Sequence, residues 1–286
     1  METQTINIGS AELSVVISTK GAELQSVKLN GKERLWQGDE KFWGGRSPVL
    51  FPLCGSLKDK KYVYEGKTYS MPSHGFARNS VFSGEKIADN EAVFTLKSSE
   101  ETKKSYPFDF TFEVAYEVVG NTLKISFKVT NDGDKPLWTS VGSHESFMLD
   151  EPIEKYDLLF EKDEKFLSDV VVKGGLIIDE QDDFGAGKIL PCSDDMFFHD
   201  TVVLRGISSR AVSLRHNGKA IATCRFDAEN LLIWKVAGAN YVCIEPWLNY
   251  PDRTDSDGDI LKKPGLVFVG NGESFENVHS VEYFAE

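Results

Sequence analysis

What this chain has little of narrows the field before any motif is read. Its 286 residues include four cysteines, Cys54, Cys192, Cys224 and Cys243. They stand far apart with no C-x-x-C pair, which argues against a zinc ribbon, a dithiol redox motif or a disulfide framework; they are expected to be reduced and structural. No apolar run approaches the roughly 20 residues of a membrane helix, so no membrane partner is expected. The opening Met1-Glu2-Thr3-Gln4-Thr5 lacks the basic-then-apolar order of a secretion signal, which makes the cytoplasm the expected compartment. Positive charge is also short, with 32 Lys and Arg against 45 Asp and Glu and a net charge of −13. A field of that sign repels a phosphate backbone, and no basic stripe with interleaved aromatics offsets it, so nucleic acid is not an expected partner. A small neutral ligand suits the chain better, although a few arginines in a cleft can still hold a phosphate. H-E-x-x-H, Walker A, dinucleotide-glycine and G-x-S-x-G patterns are all missing, which leaves metalloprotease, NTPase, Rossmann and serine-hydrolase readings without support.

Helical periodicity is nearly missing too. Asp39 to Trp43 and the turn after Ser193 are the best short helix candidates, and neither is long enough to organise a core. What is present is alternation. Phe110, Phe112, Val114, Tyr116 and Val118 interleave with polar residues, and after Gly120-Asn121 the pattern resumes at Leu123, Ile125, Phe127 and Val129. This predicts a hairpin with one buried face. Asn217-Gly218, the favoured pair for a type I′ turn, predicts a second hairpin between Val212 and the segment from Ile221 onward. Leu13 to Ile17, Tyr156 to Phe160, Leu231 to Val236 and Leu266 to Val269 add short strands. Many strands between turn signals, with no long linker and no fixed repeat, predict an all-β sandwich or barrel forming one domain over residues 1–286.

Three segments carry candidate chemistry. In Tyr241-Val242-Cys243-Ile244-Glu245-Pro246-Trp247 a carboxylate sits inside an apolar run. A lone strand glutamate is more often solvated. Pro246 ends the strand at an edge or bulge and Trp247 supplies a flat face suited to a sugar ring, which raises the weight of a buried, basic Glu245. Ser73-His74-Gly75-Phe76-Ala77-Arg78 and Gly142-Ser143-His144-Glu145-Ser146-Phe147 supply histidines beside glycines, each alone compatible with a structural turn. Arg46, in Gly44-Gly45-Arg46-Ser47-Pro48, and Arg78 are candidates to grip hydroxyls or phosphate oxygens, against the alternative of structural ion pairs. His199, His216 and His279 have plainer surroundings and are expected at the surface. The acidic stretch from Asp252 to Asp259 fails the spacing of a calcium loop and is expected to be solvated.

These ordered segments, RSPVLFP from Arg46, HGFAR from His74, GSHESF from Gly142 and CIEPW from Cys243, identify the chain as similar to the aldose 1-epimerase (galactose mutarotase-like) family, in its LacX-like bacterial branch. The resemblance covers nearly the whole length. It implies a supersandwich of large antiparallel sheets and interconversion of the α and β anomers of a free hexose, with no metal and no organic cofactor. By position it implies Glu245 as general base, His144 as general acid, His74 near the ring oxygen, Arg46 as a hydroxyl-binding arginine and, more loosely, Asp200 as a sugar-binding aspartate. Such a pair predicts a bell-shaped pH profile with Glu245 setting the acid limb and His144 the alkaline limb. Two features depart from the pattern. Glu145 replaces the proline that usually follows the acid histidine: turned inward it would raise the pKa of His144, turned outward it would cost only backbone stiffness. HGFAR is shared with the hexose-6-phosphate mutarotase branch, so a phosphorylated hexose is the alternative substrate. A non-catalytic carbohydrate-binding protein is the alternative from another class, and a glycoside hydrolase ranks last because it ordinarily needs two carboxylates.

Overall fold

The computed structural model describes residues 2–285, so the two terminal residues of the expected 1–286 domain lie outside it. Among the described residues there is no α-helix, only short 3-10 turns such as Lys58–Lys60 and Asp194–Phe197. The helix expected at Asp39 to Trp43 is a single turn, closed by the amides of Phe42 and Trp43 donating to the Asp39 carbonyl at 2.9 Å. Among the described residues no helix is long and apolar enough to cross a membrane.

The two predicted hairpins form where the sequence places them. Phe110–Val119 and Thr122–Asn131 pair from Val119↔Thr122 to Phe110↔Asn131, with every second side chain buried. Alternation fixes this register, because a slip of one residue would turn the apolar face to water. At the second hairpin Asn217 and Gly218 both have positive φ, 49° and 81°, as a type I′ turn requires, and His216 pairs with Lys219.

Thirteen strands make the principal sheet. From one edge it runs Glu145–Met148, Tyr241–Trp247, Asn230–Trp234, Thr201–Arg205 and Tyr156–Val172, then continues through both hairpins and Ser274–Tyr283 to Ser83–Ala88. Pairing is antiparallel throughout, so side chains alternate between two faces across its whole width. A four-stranded sheet from Thr5–Gly9 to Lys32–Glu33 packs its Leu13, Val15 and Ile17 into the same buried cluster as Phe110, Phe112 and Val114. Tyr156–Val172 and Leu176–Pro191 form a long bulged hairpin, of which the sequence pattern revealed only Tyr156 to Phe160. The four cysteines are free and buried.

Candidate active site

The site is built at the edge of the principal sheet, on the face away from the core. In Tyr241–Trp247, Val242 and Ile244 enter the main core cluster, so Tyr241, Cys243, Glu245 and Trp247 point to the opposite side. The neighbouring strand pairs Glu145 with Ile244, and a further bridge pairs Gly142 with Trp247. The same register sets His144 directly across from Glu245. On the other flank Leu232 pairs with Glu245 and Trp234 with Cys243, while Thr201 pairs with Trp234. Period-two alternation thus brings His144, Glu245, Trp234 and Thr201 onto one surface.

His74 arrives from outside the sheet. Its φ of 64° and the 73° of Gly75 turn the loop sharply, and a Cβ on residue 75 would lie 2.1 Å from the Phe51 carbonyl oxygen, so glycine alone fits there. Gly142 is required for closeness instead: a Cβ on it would meet the Trp247 ring at 2.7 Å and Cys54 Sγ at 2.8 Å. The glycines of both histidine motifs therefore set the approach of backbone to the site walls.

Trp43, His74, Arg78, His144, Asp200, Thr201, Trp234, Glu245 and Trp247 enclose a cavity of about 270 Å³. That is just below the roughly 300–1,000 Å³ of sites for drug-sized ligands, a scale suited to one small ring. His144 Nδ1 lies 3.4 Å from Glu245 Oε1. His144 Nδ1 and Glu245 Oε2 are buried without a hydrogen-bond partner among the described residues. The His74 ring is 5.8 Å from His144 and its Nδ1 accepts the Gly55 amide at 3.3 Å, which fixes the tautomer with hydrogen on Nε2. The Trp43 indole stacks on His144 with centroids 5.0 Å apart and meets Trp234 edge-on at 5.2 Å. Asp200 holds Trp234 in turn, accepting its Nε1–H at 3.3 Å.

Burial dominates the electrostatics. It raises the Glu245 carboxyl well above the ordinary carboxylate range, with the negative charges of Glu145 and Asp200 adding to the effect. It lowers His144 to about 4 and His74 well below the usual imidazole value. Desolvation opposes the charged form of either group, so it orders the two values the opposite way from a profile with Glu245 on the acid limb and His144 on the alkaline limb. Between the two values the pair holds one proton, and the apparent constants belong to the pair. The Cys243 thiol adds a third donor within 4.8 Å of His144 and Glu245, but burial keeps it protonated, and we read the group as an acid-base pair beside a buried thiol.

Six of the seven expected site residues meet at the cavity; Arg46 does not. Its amide donates to Glu23 and its Nη1 to Gln25 Oε1 at 3.3 Å, and it is not among the residues that line the cavity. Arg78 lines the cavity and also an adjoining one of about 530 Å³ with Lys20, Glu23 and Trp43. Burial pulls its guanidinium below the ordinary value, with Glu23 opposing, and among the described residues it has no ion-pair partner within 4.0 Å. Trp247 is 3 % exposed and donates to the Ser143 carbonyl at 3.0 Å, so it is a wall of the cavity and the more open Trp43 and Trp234 present the aromatic faces. Sequence reasoning missed those two tryptophans. Trp234 was in sight as an alternate residue beside Glu245's strand, whereas Trp43 sits in an irregular turn that leaves no periodic signal.

Other expectations are corrected. His279, expected at the surface, is 3 % exposed within Ser274–Tyr283. For Glu145, where both orientations were open, the inward one is found, with 3 % exposure. The acidic stretch is tied rather than freely solvated: Asp252 is buried against Lys263, while Lys262 and Arg253 pair with Asp257 and Asp255.

Against known proteins, a family model described as aldose 1-epimerase matches residues 4–278. The chain is 30% identical to protein LacX of Lactococcus lactis subsp. lactis over 283 residues, covering 93% of this chain and 94% of that protein. A putative glucose-6-phosphate 1-epimerase of Escherichia coli is 33% identical over 138 residues, 44% of each chain. Among solved structures, a galactose mutarotase related enzyme from Lactobacillus acidophilus superposes with a TM-score of 0.89 at 35% identity, covering 99% of this chain and 98% of that one.

Proposed function

The chain belongs to the aldose 1-epimerase family, and from that premise we propose that it is a mutarotase acting on a hexose through the His144–Glu245 pair. One observation carries the reading: a buried imidazole and a buried carboxyl, cross-strand neighbours 3.4 Å apart, line a cavity of monosaccharide scale, and each has an atom with no hydrogen-bond partner among the described residues. Buried polar atoms are almost always satisfied, so a facing pair of exceptions reserves capacity for a ligand.

In ring opening the anomeric O–H gives its proton to Glu245 while His144 protonates the ring oxygen. The C1–O bond to the ring oxygen breaks and the electron pair of the anomeric O–H bond forms the aldehyde carbonyl. Rotation about C1–C2 and the reverse transfers close the other anomer and restore the pair. One proton on the pair is sufficient whichever group holds it at rest. In the empty cavity burial favours the neutral tautomer, and sugar hydroxyls replacing lost water favour the ion pair that starts the reaction. The Nε2–H of His74 is a neutral donor for a sugar oxygen, and Trp43 or Trp234 offers a face to the ring's C–H groups. A positioned acid and base each contribute roughly 10²–10⁴-fold.

A second reading has a specific observation behind it. Arg78, half-buried without an ion-pair partner among the described residues, suits the phosphate of a hexose 6-phosphate. NMR exchange between anomers, measured over free and 6-phosphorylated hexoses, separates the readings. Catalysed exchange of free hexoses supports the first, and exchange confined to phosphorylated sugars and lost in R78A selects the second. Binding without exchange would leave a carbohydrate-binding protein.

A further inference from the structure

Behind the cavity, on the core face of the same strands, lies a polar cluster that the proposed mechanism does not use. Glu145 Oε2 accepts the Ser143 hydroxyl at 2.5 Å, and its Oε1 meets His279 Nε2 at 2.9 Å. His279 is fixed in the middle of the principal sheet, opposite Ile125 on one side and Phe226 on the other. The Ser143 carbonyl receives the Trp247 indole at 3.0 Å, and the Ser143 amide donates to Pro246 at 3.4 Å. Residues 143 and 145 are therefore held on the core side, with His144 between them facing the cavity.

We propose that Glu145 is a positioning residue: with Ser143 and His279 it holds the segment that presents His144, and its fixed negative charge behind the sheet keeps a proton on the His144–Glu245 pair. The inference rests on the reading of that pair as the acid and base of mutarotation. It gives a role to the one residue by which GSHESF departs from the related G-x-H-P-x-F pattern, where a proline can stiffen the backbone but carries no charge.

The surroundings make the charge effective. Burial acts to raise the Glu145 carboxyl, but His279 and the hydrogen bond from Ser143 outweigh it and hold the group below the usual range, so Glu145 is an anion at neutral pH. The other ionisable groups packed near it are Tyr116, Cys224, Tyr283 and Cys243, and burial with Glu145's own charge keeps all four protonated. His279 thus closes the core side of Glu145, and the His144–Glu245 pair is the responsive group on its cavity side. Burial drives His144 down and Glu245 up, whereas the Glu145 charge moves both upward. A common displacement of both values moves the one-proton range of the pair without narrowing it.

Two variants test the two halves. E145Q keeps the shape and removes the charge. Its pH profile for anomer exchange should keep its width while both limbs move to lower pH by about one unit, with about a tenfold loss of turnover on the alkaline side. NMR titration of the His144 imidazole should move in the same direction, with KM little changed. S143A keeps the charge and removes one bond of the clamp; it should lower kcat with both limbs unmoved, and it keeps the test open if E145Q does not fold. Folded E145Q with wild-type limbs and a wild-type His144 titration, or S143A with wild-type kcat, overturns the inference. The imidazole titration needs no turnover. Failure of the wild-type protein to exchange anomers therefore defeats the mutarotase reading separately, while the effect of Glu145 on His144 remains measurable.

Discussion

Glu164 and Glu245 are both buried carboxylates on strands of one sheet, and they are built in opposite ways. Glu164 Oε1 accepts the amides of Ser208 and Ser209 at 2.9 and 2.6 Å and the Ser209 hydroxyl at 2.7 Å. Glu245 Oε2 has no partner among the described residues. Three donors on one oxygen stabilise a carboxylate and spend its capacity on the fold. The unpartnered oxygen leaves the cost of desolvation in place, which raises the basicity of the group and keeps an acceptor open. Burial alone therefore does not mark a functional acid; burial with incomplete hydrogen bonding at a cavity does.

The largest effect that would break this comparison is at Glu245. E245Q should lower anomer exchange by about 10²–10⁴-fold while sugar binding persists, and its Tm should be no lower than that of the wild type, since an incompletely satisfied buried acid has been removed. Polarimetry on freshly dissolved sugar and a thermal melt are the two measurements. A large loss of Tm with normal exchange would make Glu245 another Glu164.

Gly75 comes next, because it supports the site through geometry. G75A places a methyl group against the Phe51 carbonyl at a backbone angle that L residues avoid, and should cost about 2–3 kcal/mol of stability. The folded fraction should lose exchange activity as well, because the turn that aims His74 cannot survive unchanged. A Tm equal to wild type would show that the loop relaxes freely.

E164A tests the other side of the comparison. Removing Glu164 leaves the Ser208 and Ser209 amides without their partner, at a cost of about 1–3 kcal/mol. Activity per folded molecule should be unchanged, as read from urea unfolding alongside exchange rates. A selective loss of activity at full stability would carry the functional role beyond the cavity.

How much of this was legible in the sequence depended on whether a residue's role is local. The 110–131 hairpin was readable because alternation and a short turn decide it within 22 positions, as the register from Val119↔Thr122 to Phe110↔Asn131 bears out. Asn217-Gly218 was readable because the type I′ turn demands positive φ at two successive residues. His74, His144 and Glu245 were legible as motifs, yet their mutual distance was not, since it follows from which strands pair. His279 shows the limit: Glu276, Asn277 and Ser280 around it look like a polar tail, and only the pairing of Ser274–Tyr283 between two interior strands buries it. Arg46 shows the converse, a residue within a matching motif whose side chain is turned to Gln25 by the fold. The long hairpin from Tyr156 to Pro191 escaped notice because three register shifts break its alternation.

Trp43 gives the smallest effect and the finest division between site wall and site chemistry. Its indole lies over the His144 imidazole, at 5.0 Å and 25°, and so covers one face of the ring and shields it from water. The contact has two separable consequences. An aromatic stack of this kind contributes about 0.5–1.5 kcal/mol beyond area burial, so W43L should lose up to roughly tenfold in kcat/KM if the stack orients His144. Shielding also contributes to the desolvation that pushes His144 down to about 4. Water admitted by leucine should let the imidazole titrate higher and move the acid limb of the profile to higher pH, since the second proton then loads the pair more easily. Glu145 lies on the far side of the strand and its charge moves both limbs together, so a change confined to the acid limb separates wetting of the cavity from loss of charge behind it. A lower kcat/KM with the limb unmoved would assign Trp43 to sugar contact alone.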